Sequence, residues 1–445
     1  MTRWKILIPM ETASREMLYK VNLIEKLTKL NFDCYLGEKQ EIYKLFSKVK
    51  PFIYLDKGYH KNVSENIYKN IEKYNGKIVS LDEEGGVDYS DFRTINQRYP
   101  EVLFEHAHLV FIWGKKQYDF LKKSRYSLGK SIISGHPRFE MLHKNYWKFY
   151  SNEINSIKNK YKKFIFITGN SSLGNNIKGD EFIYKNYSNR IKNLSNIIKF
   201  DREKNELLTS FAIALSKQVS ITIIFRPHPE EDLTYYTNKF NNIENIVVTN
   251  KYSAIPWIIS SDFMVHPDCT TGVESIMLGK KTYSLLPYYD KDLVTETPIL
   301  ASEVFYDKDQ LIKKITAGIS KINADSLRVL SDYFSFYQET LSIISKNIHA
   351  LTNDYSFQDT KDLNINIKYK FKTLIYTIAK KIYIFSILNN KNKRFSIQKK
   401  GEFNIYNLTK IVHKTNEFNK NIKNNKLRIR KINSGLYFFK NRDKF

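Results

Sequence analysis

The chain has 445 residues, too many for one ordinary hydrophobic core and enough for two domains with an extension. Hydrophobic residues make up 42% and aromatics 14%, which excludes a largely disordered chain. The formal net charge is +26, and residues 361–445 hold 22 Lys and Arg against 4 Asp and Glu, so the excess is concentrated late in the sequence.

Cys34 and Cys269 lie far apart, which argues against a disulfide framework or a cysteine metal site and fits a reducing cytosol. The apolar run after Met1 is too short for a signal peptide, and no stretch of 18 uncharged apolar residues predicts a membrane span. A cytoplasmic protein is expected.

In chain order, Trp4 to Ile8 reads as a strand, Arg15 to Leu30 as a helix, Phe32 to Leu36 as a strand and Gln40 to Phe46 as a short helix. Pro51 to Leu55 is a third strand, Ser64 to Tyr74 a helix, and Lys77 to Leu81, Leu109 to Trp113 and Ser131 to Ser134 are further strands. The rhythm then starts again. Strands are predicted at Lys163 to Thr168, Ile221 to Phe225, Ile246 to Thr249, Phe263 to Val265 and Thr282 to Leu286. Helices are predicted at Leu207 to Gln218 and, as one element, Ser326 to Ile344.

Alternation of this kind predicts parallel sheets covered by helices on both faces. The expected fold class is α/β with a GT-B architecture: two Rossmann-like domains facing across a cleft, plus a basic C-terminal extension. The expected boundaries are 1–155 for an acceptor domain, 156–350 for a nucleotide-sugar domain and 351–445 for a basic amphipathic tail. In that tail Phe371, Leu374, Ile375, Ile378, Ile382 and Phe385 share one helical face, with Lys370, Lys372, Lys380 and Lys381 elsewhere. Such a helix suits either an anionic membrane surface or the protein's own surface. Nucleic acid is not the expected partner.

The residues with chemistry cluster where strands end. Arg226-Pro227-His228-Pro229 closes the strand at Ile221 to Phe225 and places a guanidinium and a stiffly held imidazole at a carboxyl edge, where open α/β sheets bind ligands. Thr270-Thr271-Gly272 follows the strand at Phe263 to Val265 and opens a helix, giving two hydroxyls and free N–H groups suited to an anion. Glu274 falls four residues after Thr270, as a ligand or an N-terminal cap. Gly169-Asn170-Ser171 opens a loop that suits phosphate but is not a Walker A sequence. Together these residues suggest a phosphate-bearing nucleotide sugar.

In the first half, Asp82-Glu83-Glu84-Gly85 ends a strand. Three neighbouring carboxylates are expected to raise at least one pKa by mutual repulsion, as a general base requires. Gly85 would let an acceptor approach the backbone. Glu11, His136 and Arg138 complete the acceptor side. Asp290-Lys291-Asp292 and Asp307-Lys308-Asp309 read as solvated turns, so neither a metal nor another cofactor is expected.

These motifs together resemble a bacterial family of surface carbohydrate biosynthesis proteins. The resemblance runs over roughly residues 4–290 and includes Ile8-Pro9-Met10-Glu11, Tyr54-Leu55-Asp56-Lys57-Gly58, Trp113-Gly114 and Gly135-His136-Pro137-Arg138. Glu83-Glu84-Gly85, His228-Pro229 and Thr270-Thr271 also look like the motif trio of GT-B bacterial sialyltransferases and polysialyltransferases. The resemblance implies a carboxylate base at Glu83 or Glu84, and phosphate contacts from His228, Thr270 and Thr271. It also implies a CMP-sugar donor, with a nonulosonate or Kdo-type sugar passed to a glycan or lipid-linked acceptor. Capsule and lipopolysaccharide are the expected settings. A CDP-polyol phosphotransferase of the teichoic-acid type, a sugar-nucleotide 2-epimerase and a non-catalytic glycan- or membrane-binding protein are the rival readings.

Overall fold

The computed structural model describes residues 3–124, 128–189, 191–318, 324–337, 339–353, 403–420 and 425–441. Chain contacts divide it into two compact units. The first holds residues 1–85, 95–141 and 334–445, and the second holds 86–94 and 142–333.

The first unit is built on β1 (Lys5–Met10), β2 (Asp33–Glu38), β3 (Phe52–Asp56), β4 (Lys77–Leu81), β5 (Leu109–Ile112) and β6 (Ser131–Ile133). These pair in parallel in the order β2-β1-β3-β4-β5-β6. Ile6, Leu7, Ile8, Ile53, Ile78, Val79 and Val110 are all fully buried. Unbroken β-branched and aliphatic runs of this kind are what a sheet covered on both faces needs.

The second unit contains β7 (Phe164–Thr168), β8 (Thr222–Arg226), β9 (Ile246–Val248), β10 (Phe263–His266), β11 (Thr282–Leu285) and β12 (Glu303–Phe305). All six are parallel, in the order β12-β11-β10-β7-β8-β9. The chain therefore leaves β7 toward one side of the sheet and returns to build the other side from β10. The crevice beyond the carboxyl ends of β7 and β10 is the topological switch point, where such sheets take ligands. The equivalent point in the first unit lies between β1 and β3.

Most predicted elements appear within a few residues of their expected bounds. The differences have physical causes. Residues 142–155 lie with the second unit, where Tyr161, at the end of the helix Ser151–Tyr161, packs its ring 5.8 Å from Trp257. The single helix expected from Ser326 to Ile344 is two helices, Ala324–Tyr333 and Thr340–Ala350. The break lets Phe334 turn inward, 5.0 Å from Phe139 and 6.0 Å from Trp113, as the chain passes back into the first unit. Its backbone continues there through Ser335 N–H, which donates to Trp113 C=O at 2.8 Å.

The tail is not simply an extension. Residues Ile405–Phe418 form a helix, and β13 (Arg428–Asn433) and β14 (Leu436–Lys440) form a hairpin. β14 pairs antiparallel with β2, so the first sheet becomes eight-stranded. The cause is legible in Leu436-Tyr437-Phe438-Phe439, which is buried along its whole length. Arg428, Arg430 and Lys431 occupy the outer strand, the usual protection of an open sheet edge. The amphipathic stretch Phe371 to Phe385 lies outside the described residues. Among the described residues, no helix is long and apolar enough to cross a membrane.

Candidate functional site

Every motif singled out in the first half of the sequence lies just beyond a strand's carboxyl end in the first unit. Glu11 follows β1, Lys57 and Gly58 follow β3, Asp82 to Gly85 follow β4, Trp113 and Gly114 follow β5, and Gly135 to Arg138 follow β6.

A ladder of alternating charges runs along this edge. Lys39 meets Glu11 at 2.9 Å, and Glu11 meets Lys57 at 3.2 Å. Lys57 meets Glu16 at 2.6 Å, Glu16 meets Lys20 at 2.6 Å, and Lys20 meets Glu83 at 3.2 Å. Glu83 also accepts a short hydrogen bond from the Tyr19 hydroxyl. Burial works to raise the pKa of Glu83, but the Lys20 and Lys57 cations outweigh it and hold the carboxyl below its usual range. Glu11 behaves likewise: burial opposes its ionisation, while Lys57 and Lys39 bring its pKa down to about 2.

Two of the three carboxylates expected to repel one another, Asp82 and Glu84, share Arg98, while Glu83 turns to Lys20 and Tyr19. Asp82 is wholly buried, pairs with Arg98 Nε at 2.5 Å, and accepts the Glu84 and Gly85 N–H groups at 2.7 Å each. Its pKa is raised, with burial as the leading cause rather than its neighbours. Glu84 turns outward, 62% exposed, toward Arg98 at 3.2 Å. Gly85 is closely packed, since an added Cβ would lie 3.2 Å from the Tyr99 ring and that ring would have to shift by a few tenths of an ångström. Burial rather than repulsion is thus the leading influence on Asp82, and of the three carboxylates Glu83 is the buried one that faces Lys20 and Tyr19.

His136 is buried, with Nε2 3.6 Å from Glu83 Oε2. Its Nδ1 accepts the Arg138 N–H at 3.1 Å and so caps the short helix Pro137–Glu140. Burial, with Arg138 and Lys20 nearby, pushes the imidazole pKa well below its usual value. The ring is therefore neutral, and its proton sits on Nε2, toward Glu83. Arg138 packs its guanidinium against Trp113 and Phe139.

In the second unit the loops after β7, β8 and β10 are stitched together. Asn170 Nδ2 donates to Asp268 Oδ1 at 3.2 Å, and Ser171 N–H donates to Glu231 Oε1 at 2.7 Å. Gly169 lies against Glu231, where an added Cβ would sit 3.1 Å from Oε2. His228 is half-buried, and its Nδ1 accepts the Glu230 N–H at 3.2 Å. Pro229 beside it is half-buried too. Arg226 donates to Lys251 C=O at 3.1 Å and Tyr252 C=O at 2.7 Å, so much of its fork fastens the loop after β9.

Thr270 and Thr271 are half-exposed at the start of the helix Thr270–Met277, directly beyond β10. Gly272 is helical rather than a turn residue. It is needed because His266 packs beneath it, and a Cβ there would sit 2.3 Å from the imidazole. Glu274 lies past the helix's first turn and is not its cap. Asp307 caps the helix Lys308–Thr316, and Asp292 pairs with Arg93 at 2.6 Å.

Sequence reasoning missed three features. Lys204 is fully buried between Asp201 at 3.0 Å and Asp268 at 3.1 Å. Asp201 in turn accepts the Leu173 and Gly174 N–H groups, fixing the β7 loop. Glu231 is fully buried and hydrogen-bonded to the Tyr236 hydroxyl; burial raises its pKa to about 7. Tyr19 and Lys20 face Glu83 from a helix that looked merely amphipathic. The available signal was polar residues inside apolar helical stripes, Asp201 and Lys204 three apart and Glu16 and Lys20 four apart.

No protein-family model matches the chain, and no curated protein matches it in sequence. Solved structures do. The UDP-GlcNAc 2-epimerase of Methanocaldococcus jannaschii, in complex with UDP-GlcNAc and UDP, is 13% identical. It covers 78% of this chain and 100% of its own, with a TM-score of 0.51. Another UDP-N-acetylglucosamine 2-epimerase is 13% identical over 81% and 99% of the two chains, with a TM-score of 0.51. A putative one from Listeria monocytogenes is 14% identical over 82% and 100%, with a TM-score of 0.50. At such identity the likeness is one of fold. The chain has the GT-B fold, with two Rossmann-like α/β units.

Proposed function

We infer that this protein is a GT-B glycosyltransferase that moves a sugar from a nucleotide donor to a growing bacterial surface glycan. The observation that carries the reading is the edge beyond β7, β8 and β10. A half-exposed helix N-terminus bearing Thr270 and Thr271, a fixed glycine loop and the half-buried His228 all meet the switch point of one parallel sheet. That is the chemistry of a phosphate cradle.

Helix N–H groups and the two hydroxyls would take the charge that develops on the leaving phosphate, with His228 as a further donor. The acceptor hydroxyl would give its proton to Glu83 while its oxygen bonds to the anomeric carbon and the carbon–phosphate-oxygen bond breaks. Glu83 is ionised at neutral pH, so it can receive that proton. Held by Lys20 and Tyr19 it is a weak base, and orienting the hydroxyl would be a large part of its work. Cytidine as the base, and a nonulosonate or Kdo-type sugar, rest on the resemblance of Glu83-Glu84-Gly85, His228-Pro229 and Thr270-Thr271 to CMP-sugar transferases. The excess of Lys and Arg in residues 361–445 favours peripheral attachment to an anionic membrane carrying a lipid-linked acceptor.

The test is a thermal-shift panel of CMP, UMP, UDP and GDP. A ligand at 100 times its Kd stabilises the folded state by about 2.7 kcal/mol. CMP should raise the melting temperature well beyond the others. A larger response to UDP, with isomerisation of a UDP-sugar in the absence of acceptor, would overturn transfer in favour of epimerisation.

A further inference from the structure

The described part of the chain exposes eight large apolar or aromatic side chains, and three of them stand together. Tyr288 and Tyr289 follow Pro287 just beyond β11, and Tyr306 follows Phe305, the last residue of β12. Leu285 pairs with Phe305, and Leu286 N–H donates to Phe305 C=O at 3.0 Å, so the two strand ends are neighbours. The three rings are 42%, 46% and 49% exposed. Scattered surface tyrosines need no explanation, but a cluster at the ligand-binding edge of a parallel sheet does.

The rings are supported rather than loose. Tyr288 leans on Phe200 with centroids 5.1 Å apart, and Tyr289 interacts with Glu296 and Ser90. A tyrosine held this way offers a broad apolar face at small entropic cost. The immediate surroundings are acidic, although the protein carries +26 overall: Glu203 and Asp290 act on Tyr288 and Glu296 on Tyr289, while Asp292 is taken up by Arg93 and Lys291 lies between the two aspartates. Carboxylates accept hydrogen bonds from hydroxyl groups and repel phosphate and carboxylate ligands. Flat aromatic faces beside hydroxyl acceptors suit uncharged pyranose rings, whose C–H faces stack while their hydroxyls donate.

We propose that Tyr288, Tyr289 and Tyr306 form a platform that binds neutral sugar residues of the acceptor glycan. The word acceptor rests on the transferase reading given above, whereas the binding of neutral sugar does not. Three rings carried by two neighbouring strand ends offer more than one stacking face. The platform therefore recognises chain rather than a single terminal sugar.

Saturation-transfer NMR on the full-length protein tests this, with maltohexaose, chitohexaose and cellohexaose as neutral probes and an oligogalacturonate as the acidic comparator. At least one neutral hexaose should bind and the acidic oligomer should not. The triple variant Y288A/Y289A/Y306A should weaken that binding at least tenfold, while Y306F keeps it, because the ring face and not the hydroxyl makes the contact. The CMP thermal shift should be the same in wild type and triple variant, which also shows that the variant is folded. No binding of any neutral hexaose to the wild type, or unchanged binding to the triple variant, overturns the platform. So does a triple variant that melts cooperatively near the wild-type temperature yet loses the CMP shift, because the rings would then be serving the nucleobase. A wild type that binds hexaose without any CMP response leaves the platform standing and removes the transferase reading.

Discussion

Glu231 should make the protein less stable as pH rises through neutrality, and Glu231→Gln should remove that dependence. The carboxyl is fully buried, between Tyr236 and the β7 loop, with Asp201 adding like charge and His228 on its own loop. Its pKa stands at about 7 against an ordinary 4.5. A carboxyl whose pKa is raised on folding binds its proton more tightly when folded. Its favourable contribution is therefore complete below about pH 4.5 and is lost between 4.5 and 7. At about 1.4 kcal/mol per pH unit, that interval is worth roughly 3 kcal/mol. Glutamine keeps the geometry, since its carbonyl oxygen can accept the Ser171 N–H and its amide can donate to the Tyr236 oxygen. Wild type and variant should match at pH 4.5, and by pH 8 the variant should be ahead by up to that amount. For a domain of this size that is roughly 6–12 °C in melting temperature. Differential scanning fluorimetry of both proteins from pH 4.5 to 8.5 reads the difference. Other groups that titrate in this range, such as Asp56 at about 6, are common to both and cancel. Parallel profiles would refute the reasoning and show Glu231 to be comfortably ionised.

Three further outcomes follow from the two edges. Glu83→Gln should abolish transfer while leaving the CMP thermal shift intact, whereas Glu84→Gln should turn over almost normally, because Glu84 faces outward; equal losses in steady-state assays would remove Glu83 as the base. His228→Ala should slow transfer on the order of 100-fold and weaken CMP binding by titration calorimetry, and near-normal turnover would reassign the phosphate donor. Phe439→Ala should cost about 3–5 kcal/mol in urea unfolding of the first unit, since the ring is fully buried where β14 joins the sheet. A loss under 1 kcal/mol would mean that the hairpin is only loosely attached.

The strands were legible because a parallel strand buried on both faces writes its burial as an unbroken apolar run. Ile6 to Ile8 and Ile223 to Phe225 could hardly be anything else. The glycine- and proline-marked motifs were legible for a related reason, since they punctuate those runs at the edge where ligands bind. The break at Phe334 was hidden because Ser326 to Ile344 holds neither Pro nor Gly, and its cause is a tertiary contact with Trp113 and Phe139. Of the three neighbouring carboxylates Asp82 does have a raised pKa, chiefly from burial, whereas Glu83 is held low because folding brings Lys20, from far upstream, to 3.2 Å, which no sequence neighbour announces. The reason for glycine at position 272 was hidden because the imidazole that needs its missing Cβ is six residues away and beneath it.

The pairing of β14 with β2 also bears on how the chain is made. Leu36 meets Tyr437, about 400 residues later in the sequence. A ribosome adding roughly 5–20 residues per second needs on the order of 20–80 s to span that interval. Throughout it β2 has no outer neighbour, while the second unit, encoded entirely in between, can emerge and fold. The nascent first unit must therefore wait, half-edged, for a strand that arrives some 400 residues later, and its closure along β2 cannot precede that stretch of synthesis.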